Sequence, residues 1–214
     1  MYEKIVKRII DIVLSSIGAI VLLPIFAIVG IIIYIDDPGP VLFKQKRIGK
    51  NKKEFWLYKF RSMKMNTPDI PTHMLENPKQ YITKVGHIIR LLSIDELPQI
   101  TNILFNHMSI IGPRPALWNQ YDLIAERDKY GANDVKPGLT GWAQINGRDE
   151  LPIEIKAKFD GEYVEKLKKG GFAAFILDVK CFVGTIVKVL KHEGVSEGKA
   201  ETESGVEKEI EFQI

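Results

Sequence analysis

Cysteine is almost missing from this sequence. Cys181 stands alone among 214 residues, so no intrachain disulfide can form and a reducing compartment is the natural setting. Histidine is nearly as scarce, and His73, His87, His107 and His192 lie too far apart along the chain to suggest a metal cluster. A strong charge imbalance is lacking too: the formal net charge of +3 is too small an excess to argue for nucleic-acid binding. What charge there is divides unevenly. From Gly194 onward six glutamates face Lys199 and Lys208, a tail of −4 that leaves +7 on the remainder. A basic body suits phosphate-bearing partners. The acidic tail, poor in apolar residues, reads as disordered, at least after Ser204.

The charge-free run over residues 12–35 is the strongest physical signal in the first third of the chain. It is too long, and lacks the small-residue cleavage site, for a signal peptide. As one straight helix it would extend roughly 36 Å, enough for a hydrocarbon core of about 30 Å. Pro24 sits in its middle, where the ring lacks an N–H and collides with the carbonyl of Ile20, so a kink is expected. Lys4, Lys7 and Arg8 precede the run, and Lys44, Lys46, Arg47, Lys50, Lys52 and Lys53 follow it. Basic flanks prefer the cytoplasmic side, which favours a segment that enters and turns back. A kinked single span is the competing reading. Asp11, one turn from Lys7, fits an i, i+4 ion pair; alternatively, Lys7 or Arg8 meets the phosphate of a lipid substrate.

Residues 36–40 hold two prolines and a glycine and form a turn. Residues 41–47 and 54–61 then alternate apolar and polar around Gly49-Lys50-Asn51, which predicts a basic β-hairpin with Lys59 and Arg61 on one face, able to hold a phosphate. Residues 66–80 read as loop. Over 84–105 the apolar spacing is helical on both sides of Ser93-Ile94-Asp95-Glu96, and Pro98 places a helix start near Asp95. Ser93 with Glu96 matches a capping box. The chemical alternative is that the carboxylate pair supplies a nucleophile for phosphorus and a second acid or metal-binding group. Phosphoryl transfer also needs fixed cations, and Arg114, between Pro113 and Pro115, is pre-set by its neighbours. Residues 135–149 pack three glycines with Gln144, Asn146 and Arg148 into a stretch that is neither strand nor helix by pattern. That suits either close approach to a ligand or a turn-rich connector. Amphipathic helices follow over 152–169 and 172–192, broken at Gly170-Gly171; the second fits a membrane interface or a core.

The order of these segments is more specific than any one of them. Lys7-Arg8-x-x-Asp11 before a proline-broken apolar run, Lys59-Phe60-Arg61-Ser62-Met63, Ser93-Ile94-Asp95-Glu96-Leu97-Pro98-Gln99 and Met108-Ser109-Ile110-Ile111-Gly112-Pro113-Arg114-Pro115 come first. Lys136-Pro137-Gly138-Leu139-Thr140-Gly141, Gln144-Ile145-Asn146-Gly147-Arg148 and Leu177-Asp178-Val179-Lys180 follow. A chain with this series resembles the small monotopic phosphoglycosyl transferases, the bacterial sugar transferase family that begins glycoconjugate assembly on polyprenyl phosphate. The resemblance implies an α+β, mostly helical monotopic membrane protein with a re-entrant helix-break-helix, interfacial amphipathic helices and a small β-hairpin. The expected division is a membrane segment over 1–36, a catalytic domain on the cytosolic face of the inner membrane over 37–193, and the acidic tail over 194–214.

It further implies that Asp95 attacks the β-phosphate of a UDP-sugar, releasing UMP, and that polyprenyl phosphate then displaces Asp95. Glu96 would support as a metal ligand or proton-handling group, with Mg²⁺ as cofactor bound by Asp95 and Glu96. Arg114 matches the arginine expected at the donor phosphates, with Lys59, Arg90, Gln144 and Arg148 in support and Lys7 and Arg8 at the lipid. Expected partners are therefore the UDP-sugar, polyprenyl phosphate and membrane lipids, with apolar faces that leave room for a homodimer. One departure is visible: many relatives carry serine before the mid-membrane proline, where this chain has Leu23. A single-step transfer through a ternary complex and a non-catalytic membrane adaptor are the alternatives. The adaptor gives no reason for Asp95-Glu96 to accompany the arginine and glycine-rich loops.

Overall fold

A computed structural model describes residues 2–68, 77–147 and 151–191. The tail beyond 191 and Arg148 lie outside these described residues. After a π-helical turn at Tyr2–Val6, helix α1 spans Lys7–Asp36 without interruption. The expected break is absent as a break in the helix. Pro24 removes only its own N–H donor, and bonding on either side carries the helical conformation past it. Among the described residues this is the one helix long and apolar enough to cross a membrane.

One stripe of α1 lies against the body and the rest is bare. Lys7, Asp11, Ser15, Val29 and Ile33 are buried, whereas Ile9, Ile12, Val13, Ile17, Ile28 and Ile32 are exposed. Both ends of the helix are tied to the same body. Near the start, Arg8 donates to the carbonyls of Ile103 (2.7 Å) and Leu104 (3.1 Å), and Asp11 accepts from the Ser109 hydroxyl (3.0 Å) and the Ile110 amide (2.9 Å). Near the finish, the Phe26 ring meets Phe60 edge-on at 5.5 Å, Val29 and Ile33 pack on Ile89, and Asp36 accepts from the Val85 amide at 3.0 Å. Between these anchors the residues around Pro24 stand clear: from Ile20 to Ile25 only Leu22 is less than exposed. The i, i+4 pair expected of Lys7 and Asp11 does not form. Each reaches a partner far along the chain, because both face inward.

The predicted hairpin is present. Strands β1 (Leu42–Ile48) and β2 (Glu54–Phe60) pair antiparallel from Leu42 opposite Phe60 to Ile48 opposite Glu54. Phe55 and Leu57, two apart on one face of β2, bury against Ile103 and Met108. Helix α2 (Lys84–Leu91) opens on Thr83, whose hydroxyl accepts from the Gly86 amide at 2.9 Å. A 3₁₀ turn, Ile94–Gln99, leads to the short helix α3 (Ile100–Leu104).

Strand β3 (Ser109–Ile111) then pairs in parallel with β4 (Gly138–Thr140), with helix α4 (Tyr121–Asp128) between them in sequence. The 135–149 stretch is thus more regular than its pattern suggests, since a one-turn helix α5 (Trp142–Ile145) follows β4. A strand of three residues is too short to show alternation. Gly138 is required by proximity: a Cβ there would strike the backbone of Gly112 and the carbonyl of Thr140. Helices α6 (Ile153–Lys169) and α7 (Gly171–Leu190) bury Tyr163, Val164, Leu167, Ala174, Leu177 and Cys181 in the main core with Ile111. Gly170 turns the chain between them at φ +70°. The stripe read as membrane-facing or core, including Phe172, Phe175, Ile176, Val179, Phe182 and Ile186, lies on the exposed side of α7. Among the described residues only the Phe175 ring of that stripe reaches the core, edge-on to Tyr2 at 6.4 Å.

Candidate active site

The Asp95-Glu96 pair sits where α2 stops. Ser93 adopts the left-handed conformation at φ 55° and re-aims the chain into the 3₁₀ turn. It makes no side-chain cap bond, so the capping-box reading does not hold. Glu96 turns inward instead and is 8% exposed. Lys59 from β2 donates to its Oε1 at 3.0 Å, and the Arg114 guanidinium spans both oxygens at 2.8 and 3.3 Å. Asp95 is half-buried, and none of the described side chains holds its carboxylate by a hydrogen bond or ion pair.

Burial pushes the Asp95 carboxyl above the ordinary aspartate range. Lys59 opposes this, Glu96 adds to it, and Arg90 and Arg114 oppose it further. Four of the residues named from sequence, Asp95, Glu96, Lys59 and Arg114, thus meet in one cluster with Arg90 within its field. The arrangement pairs an uncommitted carboxylate with cations that a phosphate could share. That is what nucleophilic attack on phosphorus requires.

The Arg114 loop is fixed from behind. The Gly112 amide donates to Thr140 and the Gly138 amide to Pro113, at 2.8 and 2.9 Å, locking the loop to β4. Arg127, 3% exposed, donates to the Arg114 carbonyl at 2.9 Å and pairs with the buried Asp160 at 2.6 Å. This pair was not legible in the sequence, where an arginine in a charged helix resembles a solvated one. Gln144 lies at the base of the same loop. A Cβ added at Gly141 would strike both the Gln144 amide oxygen and the Gly112 carbonyl, and among the described residues neither polar atom of the buried Gln144 amide has a partner.

Other expected site residues lie elsewhere. Arg61 does not share a phosphate site with Lys59: one residue past β2, it is buried against Asp37, at 3.2 Å from the carboxylate and with a hydrogen bond to its carbonyl. Lys7 is buried at 2.7 Å from Asp178, a lone acid in an apolar helix that also accepts from the Tyr2 and Tyr163 hydroxyls at 2.7 and 2.9 Å. Neither Lys7 nor Arg8 joins the Asp95 cluster.

The donor set admits a Mg²⁺ only of a particular kind. Among the described residues no three metal-binding side chains converge, and Glu96 is engaged by two cations. The two adjacent carboxylates fit a Mg²⁺ held chiefly by substrate phosphates, the usual situation for this ion.

Residues 2–192 match the family model described as bacterial sugar transferase. The chain is 43% identical over 159 residues to the uncharacterized sugar transferase EpsL of Bacillus subtilis, covering 74% of each. It is 36% identical over 197 residues to the exopolysaccharide production protein PSS of Rhizobium leguminosarum, covering 88% of this chain and 96% of that one. Against the UDP-glucose:undecaprenyl-phosphate glucose-1-phosphate transferase of Escherichia coli it is 40% identical over 173 residues. That match covers 77% of this chain but 37% of the longer relative.

Proposed function

The chain belongs to the bacterial sugar transferase family, and from that premise we propose that it moves a sugar-1-phosphate from a UDP-sugar to polyprenyl phosphate through Asp95. The uncommitted, half-buried carboxylate of Asp95 beside three cations carries this reading. A carboxylate oxygen of Asp95 bonds to the β-phosphorus of the donor, the bridging P–O bond breaks, and UMP departs with the electron pair. An oxygen of the lipid phosphate then bonds to the same phosphorus, the Asp95–phosphorus bond breaks, and the product is a polyprenyl-diphosphate-sugar with the carboxylate restored. Arg114 and Lys59 hold the non-bridging oxygens, exchanging part of their contact with Glu96 for the phosphate. Glu96 is the group that parks these cations before the donor arrives. Bound Mg²⁺, with Asp95 and Glu96 as its protein ligands, would neutralise diphosphate charge.

The membrane placement in this proposal is supported by α1. A helix standing upright across a bilayer could not rest both its ends on one body. Contacts at Arg8 and Asp11 and again at Phe26 and Asp36, with residues around Pro24 bare, support a reading in which the continuous helix stays in the leaflet on the side of the body. The exposed apolar stripe of α7 would lie in the interface of the same leaflet, on the cytosolic side by the basic flanks.

Incubation with the donor alone tests the covalent route. UMP release and a sugar-phosphate adduct on Asp95 are expected; turnover without any adduct would assign the reaction to a ternary complex. Because Asp95 acts ionised and its pKa is raised, adduct formation should fall off with acid at a higher pH than an ordinary aspartate would give. Glu96→Gln removes a neighbouring negative charge and should move that acid limb to lower pH.

Gln144 is the residue for donor reading in this proposal, since its two polar atoms lack partners among the described residues beside the Arg114 loop. Replacing a buried orphan amide with an apolar group of similar shape is close to neutral for stability. Gln144→Leu should therefore leave the thermal midpoint unchanged or higher while raising the donor KM, on the order of 10-fold for the loss of a buried hydrogen bond. Steady-state kinetics across UDP-sugars would read this and name the sugar.

A further inference from the structure

The two motifs that the transfer chemistry leaves unused, Lys7-Arg8-x-x-Asp11 and Lys136-Pro137-Gly138, come together around one cavity of about 270 Å³. Its lining shares no residue with the Asp95 cluster. Five cations line it: Lys4, Lys7 and Arg8 from the start of the chain, Lys50 from the hairpin turn, and Lys136 from the approach to β4. Three carboxylates oppose them, Glu3 and Asp11 in the wall and Asp178 behind Lys7. The cavity therefore carries an excess of positive charge.

That excess sits on Lys4, Arg8 and Lys136, which no carboxylate pairs among the described residues. Lys7 is neutralised by Asp178, and Lys50 by Glu3 at 3.3 Å. Arg8 is spent on neutral carbonyls, and Lys136 on the amide oxygen of Asn106. Asp11 is already engaged by Ser109 and the Ile110 amide. Burial, together with the nearby Arg8 and Lys50, holds the Lys136 ammonium below the usual lysine range. Such crowding of like charge is relieved by an anion with several oxygens.

The same turns of the chain present Ile5, Ile9 and Ile12 outward, all more than 40% exposed, while Lys4, Lys7, Arg8 and Asp11 face the cavity. A ligand seated here would have its charge in the cavity and its apolar part along that ridge. We infer that this cavity is a second phosphate site, occupied by the headgroup of an anionic glycerophospholipid that fixes the depth of α1 in the leaflet. The site would explain why Lys136 and Arg8, which lie outside the catalytic cluster, accompany it in sequence. It rests on the membrane placement of α1 and not on the aspartyl chemistry.

The test uses the full chain in a non-ionic detergent, titrated with dihexanoyl phosphatidylglycerol while its thermal midpoint is followed. A saturable rise is expected, and the double variant Lys4→Gln/Lys136→Gln should weaken it by 10-fold or more. Lys136→Arg, which keeps the charge, should retain it. Arg114→Gln, which disables the catalytic cluster, should leave the response in place whether or not that cluster works as proposed. An equal response to inorganic phosphate at the same concentration would overturn the lipid assignment. No response, a response indifferent to the double variant, or one lost with Arg114→Gln would overturn the site itself.

Discussion

Asp95→Asn is expected to abolish sugar-phosphate transfer while leaving the protein at least as stable as the parent at neutral pH. The amide keeps the shape of the side chain but is no longer a nucleophile, so both UMP release and the adduct should vanish. Removing a nucleophile of this kind costs on the order of 10³-fold or more in turnover. Stability moves the other way for a reason visible in the geometry. Asp95 is a carboxyl whose folded-state pKa lies above its ordinary value near 3.8, chiefly through burial, so ionising it works against the folded state. That penalty is present at neutral pH and disappears as pH falls through the raised value and then the unfolded one. The excess stability of Asp95→Asn should therefore be widest near pH 7 and close in acid. Thermal midpoints at several pH values, beside single-turnover assays, read both halves. Retention of wild-type donor turnover would end the aspartyl mechanism, and a lower midpoint at neutral pH would end the account of Asp95 as an unfavourably buried charge.

The difference between what was legible in the sequence and what was not follows from range. Hairpin, glycine break and the two long helices were readable because alternation, helical spacing and Gly170 are local signals. Asp95, Glu96 and Arg114 were readable as candidates because their residue types and neighbours suit phosphoryl transfer. Their meeting, with Lys59 on Glu96, depends on how β2 and the 3₁₀ turn pack. Local rules also misled where a distant partner was stronger: the capping box at Ser93 lost to Arg114 and Lys59, and the Lys7–Asp11 pair lost to Asp178 and β3. Parallel pairing of β3 with β4 left no periodic trace, although Gly138 and Gly112 mark where two backbones touch.

Asp178→Ala should produce a large loss of stability. Its carboxylate is 10% exposed and ends a network that joins three parts of the chain. Lys7 at the start of α1 and Tyr2 before it bond to one oxygen, and Tyr163 of α6 to the other. Removing the acid leaves the Lys7 ammonium buried and the Tyr2 hydroxyl without its acceptor, while Tyr163 is left with the Ile111 carbonyl. Breaking a buried pair from one side costs about 3–5 kcal/mol, which for a chain of this size is a fall of roughly 10 °C or more in the thermal midpoint. Asp178→Asn keeps an acceptor for the tyrosines and should fall between Ala and the parent. Lys7→Met combined with Asp178→Leu removes both charges and should recover much of the loss, since the penalty comes from the stranded charge and not from the missing attraction. Activity should fall further than stability alone dictates. The Tyr163 hydroxyl, whose one proton Asp178 and the Ile111 carbonyl share, lies 3.2 Å from that carbonyl, one residue before the loop that carries Arg114. A rise in donor KM for Asp178→Asn, measured below its melting range, would show that the membrane end of the molecule and the phosphate-binding arginine share one support. An unchanged KM would confine Asp178 to holding α1 against α7.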